Sequence, residues 1–398
     1  MNRQSWFEAF AQAASKGAGL SPRTRRSLLD IDDTLFKTWD LGDNLILAWT
    51  RVEHQLHFLA VRHYAIFEMF GYESDGNASR EADNPVIELL AGPKHLDPAE
   101  FERVCQRFGG AAQIVDARIE TDADFSVPLV DGIVTRYGVS LVRNRAVLLL
   151  DVVGFSLRAP LDQLAMLNSL NYSINSACRQ LHSRDVHIDF ARTTTGDGFY
   201  IWNRALGPQA TIALYELMML ILADNAVAQR KARHFPVPRL RAAFHVGDHY
   251  EFYQVEGLNP TAFGYIVGQV TVDLARLIEK TLPGQIVLGE FTLSMDPAGS
   301  GPMSGCDTRM FVEQAAARIE GLKGLAVADD QIDDIRCYLT GPREGDGSFG
   351  VDRYAILDKH DTLRYAYNAK INIHLLRSSP IFLGIQCKDA DRFAIRPG

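Results

Sequence analysis

Apolar residues recur at helical spacing from Leu45 to Phe70: Leu45, Leu47, Val52, Leu56, Leu59, Ala60, Phe67 and Phe70 share a stripe with His63. Ser21-Pro22 marks an earlier helix start, and Asp97 with Glu100 and Glu102 opens a later helix that ends near Gly109-Gly110. Residues 1–140 therefore read as a mostly helical region. Gly71 to Asn84, rich in Gly, Ser, Asn and charge, reads as a loop.

The rhythm changes near residue 145. Ala146 to Leu150 is an unbroken apolar run that meets Asp151, the pattern of a buried strand ending in an acid. Gly154 breaks the strand. From Pro160 to Leu181 a helical stripe follows (Leu161, Leu164, Leu167, Leu170, Ile174, Cys178, Leu181). Val186 to Trp202 predicts two strands joined by Thr195-Gly196-Asp197-Gly198. Ala210 to Arg233 predicts a long helix, Arg239 to Val246 and Tyr250 to Val255 two strands, Gly264 to Leu282 a helix, and Gln285 to Leu288 a strand. Alternation of this kind predicts an α+β domain over residues 145–340, a sheet with helices packed on it. Gly341 to Gly350 reads as a linker, and residues 351–398 as a small β-rich module that leans on the preceding domain or on a second chain.

The 398 residues carry a net charge of −8, which argues against a general nucleic-acid binder. The five cysteines are scattered with no CxxC pair, which reads as reduced thiols in a cytoplasmic protein. Trp6 and Glu8 interrupt any apolar leader, and the run Leu217 to Ala223 is too short to span a bilayer, so no direct membrane contact is expected. His54, His57 and His63 lack a carboxylate or Cys at matching spacing and read as a packed or solvated face.

Asp151 sits at a strand end beside a tight turn and a helix N-terminus. Such a place suits both a cation, on the carboxylate, and a phosphate, on free backbone N–H groups. A competing signal lies earlier. Leu28-Leu29-Asp30-Ile31-Asp32-Asp33-Thr34 is similar to the first motif of haloacid-dehalogenase-type phosphatases. That motif needs a buried strand before its first Asp, and here Arg23-Thr24-Arg25-Arg26-Ser27 precedes only two leucines. Its remaining motifs find an echo only far down the chain, at Lys323 and at Asp329, Asp330, Asp333 and Asp334.

Six motifs occur in order: Leu-Leu-Asp151-Val-Val-Gly154-Phe155-Ser156, Thr193-Thr-Thr-Gly196-Asp197-Gly198, Phe244-His-Val-Gly247, Gly268 with Arg276, Pro283-Gly-Gln-Ile286, and Lys323-Gly324. This series resembles the class III nucleotidyl cyclase domain, whose fold is an antiparallel-rich sheet with helices. The resemblance implies that Asp151 and Asp197, with backbone at Val152, hold two divalent ions, Mn2+ or Mg2+. It implies that Phe155 and Ser156 meet the phosphates and that Arg276 stabilises charge on the α-phosphate. Lys323 matches a basic position for the triphosphate. The family places these groups on two chains, which implies a homodimer with two composite sites.

The departures carry information. The family Asn four residues before the arginine is Val272 here, and Asp273 either takes its place or leaves the role unfilled. The base-selecting positions hold Thr193 and Tyr265 in place of the adenylate or guanylate pairs. Tyr265 is bulky and both are polar, which fits a pyrimidine; a purine cyclase with an atypical pocket is the alternative. Arg192 is a candidate donor to O4 of uracil, which favours UTP, and so cyclic UMP, over CTP. The combination is similar to the bacterial pyrimidine cyclases of Pycsar anti-phage systems, in which a separate effector protein reads the product. Asp358-Lys359-His360, Tyr367-Asn368-Ala-Lys370 and Ile381-Phe-Leu-Gly384 resemble the sensor module that follows cyclases in such systems.

Overall fold

Ser21 opens the first well-defined helix: its Oγ accepts from the Thr24 N–H (3.1 Å) and Pro22 fills the first helical position. The computed structural model describes residues 7, 20–69, 85–118, 126–184, 189–256, 261–294, 305–345, 349–358 and 361–390. The expected loop Gly71 to Asn84 and the pair Lys359-His360 lie outside them. The chain forms two units: Met1–Arg143 with Tyr250–Val267, and Asn144–His249 with Gly268–Gly398.

In the first unit, helices α1 (Pro22–Trp39), α2 (Ala65–Met69), α3 (Pro85–Ala91), α4 (Pro98–Phe108) and α5 (Val127–Arg136) accompany strands β1 (Asn44–Val52), β2 (Gln55–Arg62) and β3 (Ala112–Arg118). The strands form an antiparallel sheet in the order β1-β2-β3. The helix predicted over Leu45 to Phe70 is therefore a hairpin followed by one short helix. The reason is double-sided burial. Ile46, Trp49, Leu56 and Phe58 pack with α1 and α5, while Leu47, Leu59 and Val61 pack with α3 and α4. A strand covered on both faces loses its alternation, and its apolar positions then fall on a helical stripe by accident. His57 lies on β2, 3.2 Å from Asp116. Asp30 and Asp32 lie on α1, and Asp32 accepts from Tyr137 Oη at 2.5 Å, so the phosphatase-like motif has no strand to present it. A cavity of about 840 Å³ in this unit is lined by Trp39, Leu45, Ile66, Phe67 and Phe252, among others.

The rest of the chain adds β4 (Val139–Val152), α6 (Pro160–His182), β5 (Phe190–Thr194), β6 (Gly198–Asn203), α7 (Pro208–Lys231), β7 (Leu240–Glu256), β8 (Thr261–Val267) and α8 (Gln269–Lys280). It continues with β9 (Ile286–Gly289), β10 (Thr292–Ser294), β11 (Gly305–Asp307), α9 (Thr308–Arg318), β12 (Ala326–Val327), β13 (Asp330–Leu339), β14 (Tyr354–Leu357), β15 (Leu363–Leu375) and β16 (Ile381–Leu383). The main sheet runs β12-β13-β15-β9-β7-β4-β6-β5. Of the pairings whose register is described, only β7 with β9 is parallel. This is the expected α+β, antiparallel-rich arrangement.

One face of that sheet carries the large core. Leu148, Leu150, Ile201, Phe244, Leu288 and Ile371 meet Leu170 and Ile174 of α6, Leu217 of α7 and Phe311 of α9. Every residue of α7 from Ala210 to Asn225 is buried. By length and composition α7 could cross a membrane, but 94% of its apolar window is buried inside the protein, as befits a core helix. Its buried Asp224 is paired, accepting from Ser173 Oγ at 2.7 Å. Helix α8 covers the opposite face. Its Val270, Leu274, Leu277 and Ile278 form a buried stripe, and the Thr271 carbonyl accepts from Tyr200 Oη at 3.0 Å.

The closing residues do not stand apart as a module. Strand β15 is an inner strand, paired with β9 on one side and β13 on the other. Asn368 joins all three: it accepts from Gln285 Nε2 (3.0 Å) and donates to Thr340 Oγ1 (2.7 Å). Lys370 is buried and donates to the Gly384 carbonyl at 3.3 Å. These parts of the sensor-like motif serve the fold.

Candidate functional site

Strand β4 delivers Asp151. The apolar run before it is buried on both faces, so the strand is fixed along its length and its last acid is held rigidly. Gly154, at φ 67°, adopts the left-handed conformation that ends the strand and begins the turn Phe155–Leu157. Asp197 comes from the β5–β6 turn. Gly198 pairs directly with Asp151, and a Cβ at that glycine would lie 1.9 Å from the Leu150 carbonyl oxygen. Only glycine lets the two strands approach there, and that approach brings the carboxyl groups together. The Val152 N–H donates to the Asp197 carbonyl at 3.0 Å, and Thr195 Oγ1 donates to Asp197 Oδ1 at 3.2 Å.

Asp151 is 7% exposed. Burial raises its pKa above the usual carboxylate value, Arg241 opposes that shift, and Asp197, within hydrogen-bonding reach, adds to it. Arg241 Nε lies 2.6 Å from Asp151 Oδ2. Two facing carboxylates with one cation between strands are a natural seat for positive charge. The donor set fits a hard divalent ion: two carboxylates beside backbone carbonyls, with no sulfur or imidazole. Among the described residues no group of three or more Asp, Glu, His or Cys gathers as a fuller cage.

The second half of the site stands on α8. Asp273 accepts from Arg364 Nε (2.6 Å) and Gln269 Nε2 (2.8 Å), and its other oxygen is 3.6 Å from His245 Nε2. Burial pushes the Asp273 pKa up, but these donors outweigh it and hold the carboxyl below its ordinary value. Arg276 lies one turn further on. Its Nη1 is 3.3 Å from Glu279 and its Nε 3.7 Å from Asp358 Oδ2.

Thr193 pairs with Tyr200, and Leu149 also pairs with Tyr200, so Thr193 shares the face of Leu149 and Asp151. Arg192 faces the other way. It packs over the Phe199 ring and donates to Asn175 of α6 at 3.3 Å, on the face away from Thr193 and Asp151. Lys323 follows α9, where its amine bonds Asp334 at 3.2 Å, and it is not drawn to the acidic pair. Phe155 packs on the core and Ser156 is exposed; the turn they start leaves its first N–H groups without partners inside it. Tyr265 lies on β8 in the first unit, stacked on Phe252 with centroids 5.9 Å apart.

Sequence reading did not assign Arg241, His245, Arg364 or Asp358 to this site, although His245 stands in the Phe244-His-Val-Gly247 motif and Asp358 opens the sensor-like Asp358-Lys359-His360. The first two had a signal: along β7, Arg241 and His245 alternate with Ala242, Phe244 and Val246, which marks a polar face. Nothing local ties Arg364 or Asp358 to the site, because Arg364 meets Asp273 across 91 residues.

No family model matches the sequence, and no curated protein matches it. Among solved structures the chain is similar to the guanylate cyclase domain of RhGC from Catenaria anguillulae in complex with GTP: 9% identity, TM-score 0.35, covering 59% of this chain and 98% of that one. It is also similar to the adenylyl cyclase CyaB from P. aeruginosa, with 11% identity, TM-score 0.33, and 61% and 97% covered. A third likeness is to the non-canonical dimeric guanylyl cyclase domain of the RhoGC fusion protein from Blastocladiella emersonii, with 12% identity, TM-score 0.34, and 57% and 97% covered.

Proposed function

We propose that the second unit is a class III nucleotidyl cyclase domain that converts a pyrimidine nucleoside triphosphate to its 3′,5′-cyclic monophosphate and pyrophosphate. The observation that carries this reading is the meeting of Asp151 and Asp197 at the ends of two adjacent strands, inside the ordered series of cyclase-like motifs. In the reaction the ribose 3′ oxygen loses its proton to solvent water and bonds to the α-phosphorus, while the bond from that phosphorus to the pyrophosphate oxygen breaks and pyrophosphate departs. Divalent ions, when bound, lower the pKa of the attacking hydroxyl and neutralise the triphosphate. Asp151 and Asp197 hold them. The N–H groups at Phe155 and Ser156 donate to phosphate oxygens, and Arg276 answers the charge that builds on the α-phosphate. In a homodimer Arg276 acts on the site of the partner chain.

The pyrimidine reading rests on the residue types at the base-selecting positions of the motif series, Thr193 and Tyr265. The preference for UTP over CTP rested on Arg192, and with Arg192 turned toward Asn175 that support is gone, so the proposal covers both. The product then serves as a signal read by a separate effector, in keeping with the Pycsar-like combination. Incubating the purified protein with each of the four NTPs and Mn2+ tests this. Cyclic UMP or cyclic CMP is the expected product; cyclic AMP or GMP would move the reading to a purine cyclase, and no product would remove it.

A further inference from the structure

We propose that Asp358, on the hairpin between β14 and β15, is the positioning residue for Arg276, so that the C-terminal strands form part of the reaction apparatus. This rests on the cyclase reading above.

Four charged side chains alternate in sign between α8 and the hairpin. Arg364 bridges the two elements: its Nε lies 2.6 Å from Asp273 on the helix, and its Nη1 lies 2.5 Å from Asp358 Oδ2. Arg276 approaches that same Asp358 oxygen, with Nε at 3.7 Å. The other oxygen, Oδ1, accepts the Thr362 N–H at 3.0 Å, so the turn backbone aims the carboxylate. The side chains of Asp358, Arg364 and Arg276 are only 3%, 14% and 18% exposed, and solvent screens them little.

Arg276 faces carboxylates at two of its three nitrogens. Its Nε is buried, makes no hydrogen bond and looks toward Asp358, Nη1 meets Glu279, and Nη2 has no partner among the described residues. A guanidinium oriented by charge at Nε and Nη1, with Nη2 open, is preorganised for an anion. Without Asp358, Arg276 and Arg364 would face each other as like charges, and the guanidinium of Arg276 would lose its aim.

A double-mutant cycle tests this on the full-length protein with its own nucleotide and Mn2+. Asp358→Asn keeps an oxygen for the Thr362 N–H and removes the charge. In the wild-type background it should lower kcat about 10- to 100-fold and move KM less than about threefold, because the arginine acts in the transition state. In the Arg276→Ala background the same change should alter kcat less than about twofold. Equal losses in both backgrounds, or wild-type kcat in Asp358→Asn, would overturn the assignment. If Asp358→Asn does not fold, Asp358→Glu in the same cycle displaces the carboxylate by one methylene, and its loss of kcat should again require Arg276. A wild-type protein that cyclises no NTP would end the cyclase reading, and this inference with it; an active wild type with an indifferent Asp358→Asn ends this inference alone.

Discussion

Arg241 Nε stands 2.6 Å from Asp151 Oδ2, and it opposes the rise in pKa that burial and Asp197 impose on that acid. Removing the guanidinium removes the opposing influence. Asp151 then holds its proton to higher pH, where a cation must displace it. Arg241→Gln should shift the acidic limb of the pH–rate profile upward. An unmoved limb would show that Arg241 does not act on Asp151.

Glu216 lies in the middle of α7, where burial raises its pKa from 4.5 to about 7 against the opposing charge of Arg318. Because the folded value is the higher one, this group's contribution to stability is present below about 4.5 and is lost as pH rises through about 7. The loss amounts to roughly 3 kcal/mol at most. Thermal unfolding of Glu216→Gln and wild type across pH 4 to 8 should diverge, with the variant gaining on the alkaline side. Parallel curves would contradict the buried position of this carboxyl.

The proposed pyrimidine preference draws on the bulk of Tyr265 at a base-selecting position of the sequence. Tyr265→Ala should raise the purine-to-pyrimidine ratio of kcat/KM at least about tenfold, since the ring no longer fills the space of a second base ring. An unchanged ratio would place selection elsewhere.

Strand β15 sits between β9 and β13, and Asn368 satisfies Gln285 there. A chain ended at Gly350 would expose both neighbours and leave the buried Gln285 Nε2 unpaired. Such a chain should give no cooperative thermal transition for the second unit. A truncated protein that melts like the full chain would mean the C-terminal strands are dispensable.

The acidic pair was legible in sequence because its determinants are local: an apolar run ending in Asp151, and Gly198 beside Asp197. The hairpin of β1 and β2 was not, because both of its faces are buried and no alternation survives. Strand alternation says that Arg192 and Thr193 point to opposite faces, but only the register with Tyr200 tells which one faces Asp151. The closing strands looked like a separate module because nothing local marks their partners. The links from Arg364 to Asp273 and from Asn368 to Gln285 are set by folding across 91 and 83 residues.

The most direct measurement compares wild type, Asp151→Ala and Asp197→Ala, each incubated with UTP, CTP, ATP and GTP plus Mn2+, with products identified by mass spectrometry. A cyclic pyrimidine nucleotide with pyrophosphate from the wild type, and a loss of about 100-fold or more in both variants, is the predicted result. Undiminished cyclisation by the variants, or no cyclic nucleotide from the wild type with any substrate, would contradict it.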